Sequence, residues 1–335
     1  MSTRKNKKKK EKKLRSLFLL LFLTIIMLGT ATYAWFTANQ VVTIQALDLQ
    51  VEASNGLQIS TDAVTWKSVI TNNDITSGAY SGAVNQVPTS VTAVSSDGTV
   101  SGGRLNMYLG TITNDETTGD YLIASTKQTD VNGANGYYIA FDVFLKTDTT
   151  QEVFLAGNSN VSHKAVQIAG TDDETTDKGL KNSARVGFVI LGHGASTDSV
   201  STLTGLSNGN PTSAIIWEPN YTSHTSQALI VASEYGVAAS TSAATTYRGL
   251  NKEFTNANLK NTVVGTGTEA GYATQMNPAI KTAEGNSANS TFATLEAGVT
   301  KVRIYMWIEG QDIDCENNAT GTDISFNISL TTANS

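Results

Sequence analysis

Residues 14–36, LRSLFLLLFLTIIMLGTATYAWF, constrain this chain more than any other stretch. Ahead of them, residues 1–15 hold nine Lys or Arg (Arg4, Lys5, Lys7 to Lys10, Lys12, Lys13 and Arg15) against one acid, Glu11. The apolar core runs from Leu17 to Leu28, broken only by Thr24, and gives way to Gly29 and the small or semi-polar residues Thr30 to Ala34. A basic lead-in, an apolar run of about 7–15 residues and a small-residue exit are the three parts of a secretory signal. A spanning helix needs about 20 apolar residues, and this run reaches that length only if Gly29 to Phe36 is included. The sequence therefore favours residues 1–34 as a signal cut between Ala34 and Trp35, with an uncleaved N-terminal transmembrane helix as the alternative. Either way the basic end stays in the cytoplasm. Residues 35–335 are exported, to the cell surface or the extracellular space, and the chain meets a membrane only through residues 14–34.

Without the leader's charges the chain carries 14 bases against 28 acids. That balance argues against nucleic acid or an anionic bilayer as a partner, since both select a basic surface. Charged residues make up 16% of the whole and Pro numbers only 4, so the chain is neither disordered by charge nor a Pro-rich linker. Abundant Gly, Ser, Thr and Asn fit an all-β extracellular protein with many polar turns. The single cysteine, Cys315, staples nothing within the chain, so packing and hydrogen bonds must hold the fold.

Period-2 patterns mark the strands. In VVTIQALDLQV (residues 41–51), Leu47, Leu49 and Val51 face one way, and an Asn55-Gly56 turn leads to Leu57–Ser60 as a hairpin. Tyr137–Lys146 (YYIAFDVFLK) reads as a central strand, with 152–156 as its partner. Arg185–Leu191 puts Val186, Phe188 and Ile190 inward after a helical turn at 178–184. Ile215–Trp217 and Leu229–Val231 read as short strands. Val302, Ile304, Met306 and Ile308 alternate with Arg303, Tyr305, Trp307 and Glu309; Ile324, Phe326, Ile328 and Leu330 alternate likewise, and these two last strands are expected to pair antiparallel. The expected fold is all-β, a jelly-roll-like antiparallel β-sandwich forming one domain over 35–335, with long polar loop insertions at about 61–135 and 237–298. Trp66, Tyr247, Phe254 and Phe292 are expected anchors within the insertions.

Thr32-Tyr33-Ala34-Trp35-Phe36-Thr37 departs from the ordinary A-x-A exit, because bulky aromatics follow the cut at once. It resembles the T-(Y/W)-A-(W/A)-F site of the TasA/camelysin family of Gram-positive bacteria. Ala46-Leu47-Asp48-Leu49 stands where that family places a G-x-L-D-L stretch in its first strand, with Gln45 at the Gly position. The resemblance covers residues 14–52 and implies a signal peptidase of SipW type, secretion, and a part in a biofilm matrix through self-association or related matrix proteins. Trp35, Phe36, Leu47, Leu49 and Val51 are then the expected assembly residues, donated as an N-terminal strand to a neighbour's sheet. Some camelysin relatives carry the label of metalloprotease, but no H-E-x-x-H is present here.

No catalytic residues are expected. His163, His193 and His224 lie some thirty residues apart in polar stretches, and no Ser sits in a nucleophile elbow. Asp312, Asp314, Glu316 and Asn318 alternate as calcium ligands would, with Asp323 at the twelfth position; the alternative is a polar loop with turn-forming Asn. The acidic run at 172–177 is a second calcium candidate, and no other cofactor is implied. Cys315 reads as a small residue under the 309–318 loop. Trp217-Glu218-Pro219-Asn220 reads as a strand end before it reads as a binding patch. The function expected is a secreted, non-enzymatic structural protein of the matrix or cell surface; the alternative is a membrane-anchored adhesin or ligand-binding module.

Overall fold

The computed structural model describes residues 41–43, 50–54, 56–78, 80–164, 177–240, 247–315 and 323–333. The leader, including Ala34, Trp35 and Phe36, and residues Leu47 and Leu49 lie outside that set, as do Glu316 and Asn318. No helix among the described residues is long and apolar enough to cross a membrane.

The first third of the fold carries short strands: β1 (Val41–Thr43), β2 (Gln50–Ser54), β3 (Gln58–Ser60), β4 (Val69–Thr71), β5 (Asn85–Gln86), β6 (Ser90–Thr92), β7 (Val100–Ser101) and β8 (Arg104–Leu105). Longer strands follow: β9 (Met107–Asn114), β10 (Tyr121–Gln128), β11 (Ile139–Thr147), β12 (Gln151–Leu155), β13 (Asn160–Lys164), β14 (Ala184–Gly194) and β15 (Ile215–Pro219). The last are β16 (Arg248–Leu250), β17 (Phe254–Asn258), β18 (Ala273–Gln275), β19 (Ile280–Thr282), β20 (Ser290–Leu295), β21 (Gly298–Ile308) and β22 (Asp323–Thr331).

Two sheets face each other. One has seven strands in the order β19-β15-β14-β21-β11-β3, with β5 also on β11; the other has six, β20-β12-β22-β2-β4, with β13 also on β22. Their facing sides share one core. Ile139, Phe141, Val143 and Leu145 of β11 and Val302, Ile304, Met306 and Ile308 of β21 meet Val51, Val153, Ile324, Phe326, Ile328 and Leu330 from the other sheet. The alternation read from the sequence is this inner face, because successive strand residues point to opposite sides. Each fully buried Val, Leu, Ile or Phe contributes roughly 1.5–3 kcal/mol. That source of stability matters in a chain whose single thiol, Cys315, is buried and forms no disulfide.

The pairings depart from the sequence expectation at several points. β21 and β22 do not pair: β21 lies between β11 and β14, whereas β22 pairs with β2, β12 and β13, and the connection after Ile308 carries the chain from one sheet to the other. Likewise β12 does not partner β11; it joins the six-stranded sheet between β20 and β22. Gly56 turns with φ +87°, yet β2 and β3 also belong to different sheets, so this turn crosses the sandwich where a hairpin was expected. Nor are the sheets wholly antiparallel, since β2 runs parallel to β22 and β15 parallel to β19. Alternation marks which face a residue takes and leaves open which neighbour its strand finds.

The polar insertions are more ordered than their composition suggests. β9 and β10 form an eight-residue antiparallel hairpin, and β17 adds to it from the second insertion. Tyr108, Ile123, Leu250, Ala257 and Leu259 build a separate small core there with Ala228, Val231, Ala232 and Tyr235. Those last four sit on the helix Ser226–Tyr235, so Leu229–Val231 is helical and not a strand. Their spacing is that of one helix face, and Thr225 caps the start by accepting from the Ala228 amide while Gly236 ends it at φ +76°. The turn expected at 178–184 is a short 3-10 helix, Leu180–Ser183.

The insertions also cover the outer face of the seven-stranded sheet. Every residue of β21 is buried, including those whose phase points away from the inner core. Val84, Val94, Val100, Leu105, Met107, Tyr247 and Met276 close over Tyr138, Val189, Ile216, Tyr305 and Trp307. The cover is close: a Cβ at Gly187 would stand 3.2 Å from both Leu105 and Trp307. Of the expected anchors, Tyr247 lies in this layer, and Phe292 packs edge-on to Phe188 with ring centroids 5.0 Å apart.

Candidate functional site

Two arginines on that outer face organise the polar chemistry. Arg185 opposes Trp307 across β14 and β21, so both point into the covering layer. Its side chain is fully buried. Nη2 donates to Glu218 at 2.7 Å and to Asp312, Nη1 donates to the carbonyls of Asn182 and Ala184 at 2.9 Å, and the Tyr247 ring lies 4.7 Å from the guanidinium carbon. Burial holds the Glu218 carboxyl above its usual range, with Arg185 opposing. Glu309, also fully buried, accepts from Trp307 Nε1 at 3.0 Å, the Ser96 amide at 3.2 Å and the Gln311 amide at 3.1 Å. Desolvation pushes its pKa up to about 7 against those donors.

The expected calcium ligands are drawn into this interior. Asp312 gives one oxygen to Arg185 and the other to the Asp314 amide at 2.9 Å. Asp314 meets His224 Nδ1 at 2.6 Å and accepts from the Thr225 amide at 3.1 Å. All four carboxylate oxygens therefore already have protein donors, and both residues are buried, so they do not present the open oxygen set a calcium loop requires. Among the described residues, no three His, Cys, Asp or Glu gather as a metal site. In the second acidic run, Asp177 pairs with Lys181 at 2.9 Å, and the residues before it lie outside the described set.

The remaining candidates have separate surroundings. His193 stands 3.4 Å from Thr300 Oγ1, and His163 lies on β13 opposite Ile324. Cys315 is buried beneath its loop, as expected. Trp217 belongs to the inner core and donates to Thr282 Oγ1 at 2.9 Å, while Asn220 donates to the Val161 carbonyl, so residues 217–220 end a strand and offer no surface patch. Val51, an expected assembly residue, is buried, and its strand β2 is paired on both sides by β22 and β4 of the same chain.

The second arginine, Arg303, is almost fully buried but lines a cleft. Arg303 and Lys301 alternate onto the outer face near the start of β21 and form the floor of a cleft of about 740 Å³. Asp142, opposite Arg303 on β11, accepts from Nε at 2.6 Å and from Nη2 at 3.1 Å, a bidentate pair. Tyr80 donates its hydroxyl to the same carboxylate at 2.6 Å. Lys301 Nζ donates to the Thr204 carbonyl at 2.6 Å, lies 3.6 Å from Asp142, and sits over the Tyr80 ring. Burial pulls the Lys301 amine below its ordinary value, with Asp142 opposing. Behind them, Asp130 accepts from Tyr138 at 2.8 Å and Tyr305 at 2.9 Å and lies 3.7 Å from Arg303. The walls are turns and loops: Ser81–Gly82, Gly102–Gly103, Gly205–Ser207 after the helix that ends at Thr204, and Asn210–Thr212. Among the described residues, Lys301 and Arg303 are the charged members of the lining, and none is a carboxylate.

The sequence carried a signal for this cleft that the strand reading passed over. Lys301 and Arg303 are two cations spaced i, i+2 in one of the most apolar strands, and Asp142 is a lone acid inside YIAFDVFLK. Charges in such strands must find partners. Comparison of the chain with family models, with curated proteins and with solved structures gave no match.

Proposed function

We propose that this chain is an exported, non-enzymatic structural protein of an extracellular matrix or cell surface, with the jelly-roll-like sandwich as its body and the N-terminal strand as its means of assembly. The seat of β2 carries this reading. The first strand of the sandwich after the leader lies parallel to β22 over Gln50–Ser54 and antiparallel to β4 over Gln50–Glu52, with Val51 and Ala53 in the core. A seat of that kind accepts a strand from the same chain or from a neighbour, through the same main-chain hydrogen bonds and side-chain pockets. Donation repeated head to tail without closure builds a fibre. Trp35 and Phe36 would lead the donated segment once a SipW-type peptidase had cut after Ala34, and the partners would be further copies or related matrix proteins. The burial of Glu218, Glu309, Asp312 and Asp314 among protein donors supports a structural role for the acids that a sequence search would first nominate for chemistry.

N-terminal sequencing of exported material, followed by electron microscopy with and without residues 35–45, tests the proposal. The expected result is a Trp35 N-terminus and fibres that vanish on deletion. A retained leader with monomers at every concentration would overturn it. A second reading, a surface-held binding module, is favoured by one observation: the cationic cleft beside Arg303.

A further inference from the structure

We infer that the cleft over Lys301 and Arg303 binds an acidic saccharide through its carboxylate. This deepens the binding-module reading and is independent of strand donation, since a monomer or a fibre subunit would carry the same cleft.

The charge points to a single negative group. The connected ion pairs comprise Lys301, Arg303 and Arg104 against Asp142 and Asp130, so one positive charge is left over. A monoanion balances it, whereas a dianion or a polyanion meets two nearby carboxylates and a strongly acidic chain. Donors also remain. Arginine has five N–H groups and lysine three, and the protein acceptors of Arg303 and Lys301 do not exhaust them. Both side chains are already held, Arg303 by Asp142 and Lys301 by the Thr204 carbonyl of the wall, so little further ordering is needed when an anion arrives.

The walls point to a hydroxylated carrier. Ser207, Asn210 and Thr212 are exposed on the rim and supply short polar groups. Gly82 and Gly102 adopt positive φ, and a Cβ built on either would meet nothing within 4 Å, so the lining is open at both turns. Among the described residues the lining holds no aromatic ring, and its apolar side chains are Val100, Leu191, Leu206 and Pro211. The cleft's volume of about 740 Å³ falls in the range of about 300–1,000 Å³ usual for small-ligand sites and leaves room for a short saccharide.

Titration calorimetry on the full chain with sodium glucuronate, glucose and glucose 6-phosphate tests this. Lys301→Met removes one cation while Asp142 keeps Arg303 and Tyr80, and Ser207→Trp blocks the mouth from an exposed position; circular dichroism melts show that both variants fold. The expected result is saturable glucuronate binding that weakens with added salt, falls about tenfold in K301M and disappears in S207W. Glucose binding as well as glucuronate, with S207W abolishing both, would overturn the acidic class while leaving a binding module. Glucose 6-phosphate binding more tightly than glucuronate would overturn the carboxylate. Glucuronate binding indifferent to both variants would overturn the site, and no binding by any probe would overturn the site and the module reading together.

Discussion

Arg185 and Arg303 stand on the same face of the same sheet, each against carboxylates, and differ in what covers them. Over Arg185 close the Tyr247 ring and the 309–315 loop, and its side chain has no exposure. Over Arg303 the covering segments are glycine-containing turns, which stand back and leave a cleft. The chemistry is shared, so access alone separates a structural cluster from a binding site. A sealed ion cluster is weak evidence for added stability, because desolvation offsets much of the attraction. Breaking such a cluster is another matter, since the orphaned charges remain buried.

That contrast can be broken by experiment. The largest effect is expected at the sealed end: Arg185→Met leaves Glu218 and Asp312 buried without their cation and should destabilise the fold by about 3–5 kcal/mol in urea denaturation. Next comes pH. Glu309 holds its proton up to about pH 7 when folded, against an ordinary carboxyl value of 4.5, so the folded state binds the extra proton between those values. Stability should therefore fall as pH rises from 4.5 to about 7, by about 3 kcal/mol, and then level off. Glu309→Gln should flatten that slope; an unchanged slope would place the titration elsewhere. Arg303→Met should cost less than Arg185→Met, about 1–3 kcal/mol, because Lys301 and the Tyr80 hydroxyl still face the freed Asp142. Equal losses at the two arginines would mean that these remaining partners do not compensate Asp142. The smallest effect belongs to the surface. Lys181→Ala removes bridges to Asp177 and to Glu284, the latter half-exposed, and should change the urea midpoint by an amount equivalent to less than about 1 kcal/mol.

What could be read in the sequence follows the same division between a covered face and its cover. Val302, Ile304, Met306 and Ile308 declared the inner face, and so did Ile324 to Leu330, because a period of two is local information. The helix at 226–235 was legible in principle from Thr225, Gly236 and the spacing of Ala228, Val231, Ala232 and Tyr235, but three adjacent apolar residues resemble a strand when read alone. The described half of the calcium pattern, Asp312 and Asp314, turned inward for a different reason. Oxygen spacing along a loop does not reveal that Asp312 will meet an arginine 127 residues away.

By itself, then, the sequence determined a mostly β chain with strands at β11, β14, β21 and β22, their inward residues, and a buried Cys315. Tertiary structure alone decided which sheet each strand joined, that β2 would run parallel to β22, and that insertions rich in Ser, Thr and Gly would bury β21 from its second side. It also joined Arg303 to Asp142 across 161 residues and left that pair at the bottom of a cleft. The physical reason is range: backbone alternation and capping act between near neighbours, whereas strand pairing, burial of a charge and the shape of a cleft depend on segments that meet only when the chain has folded.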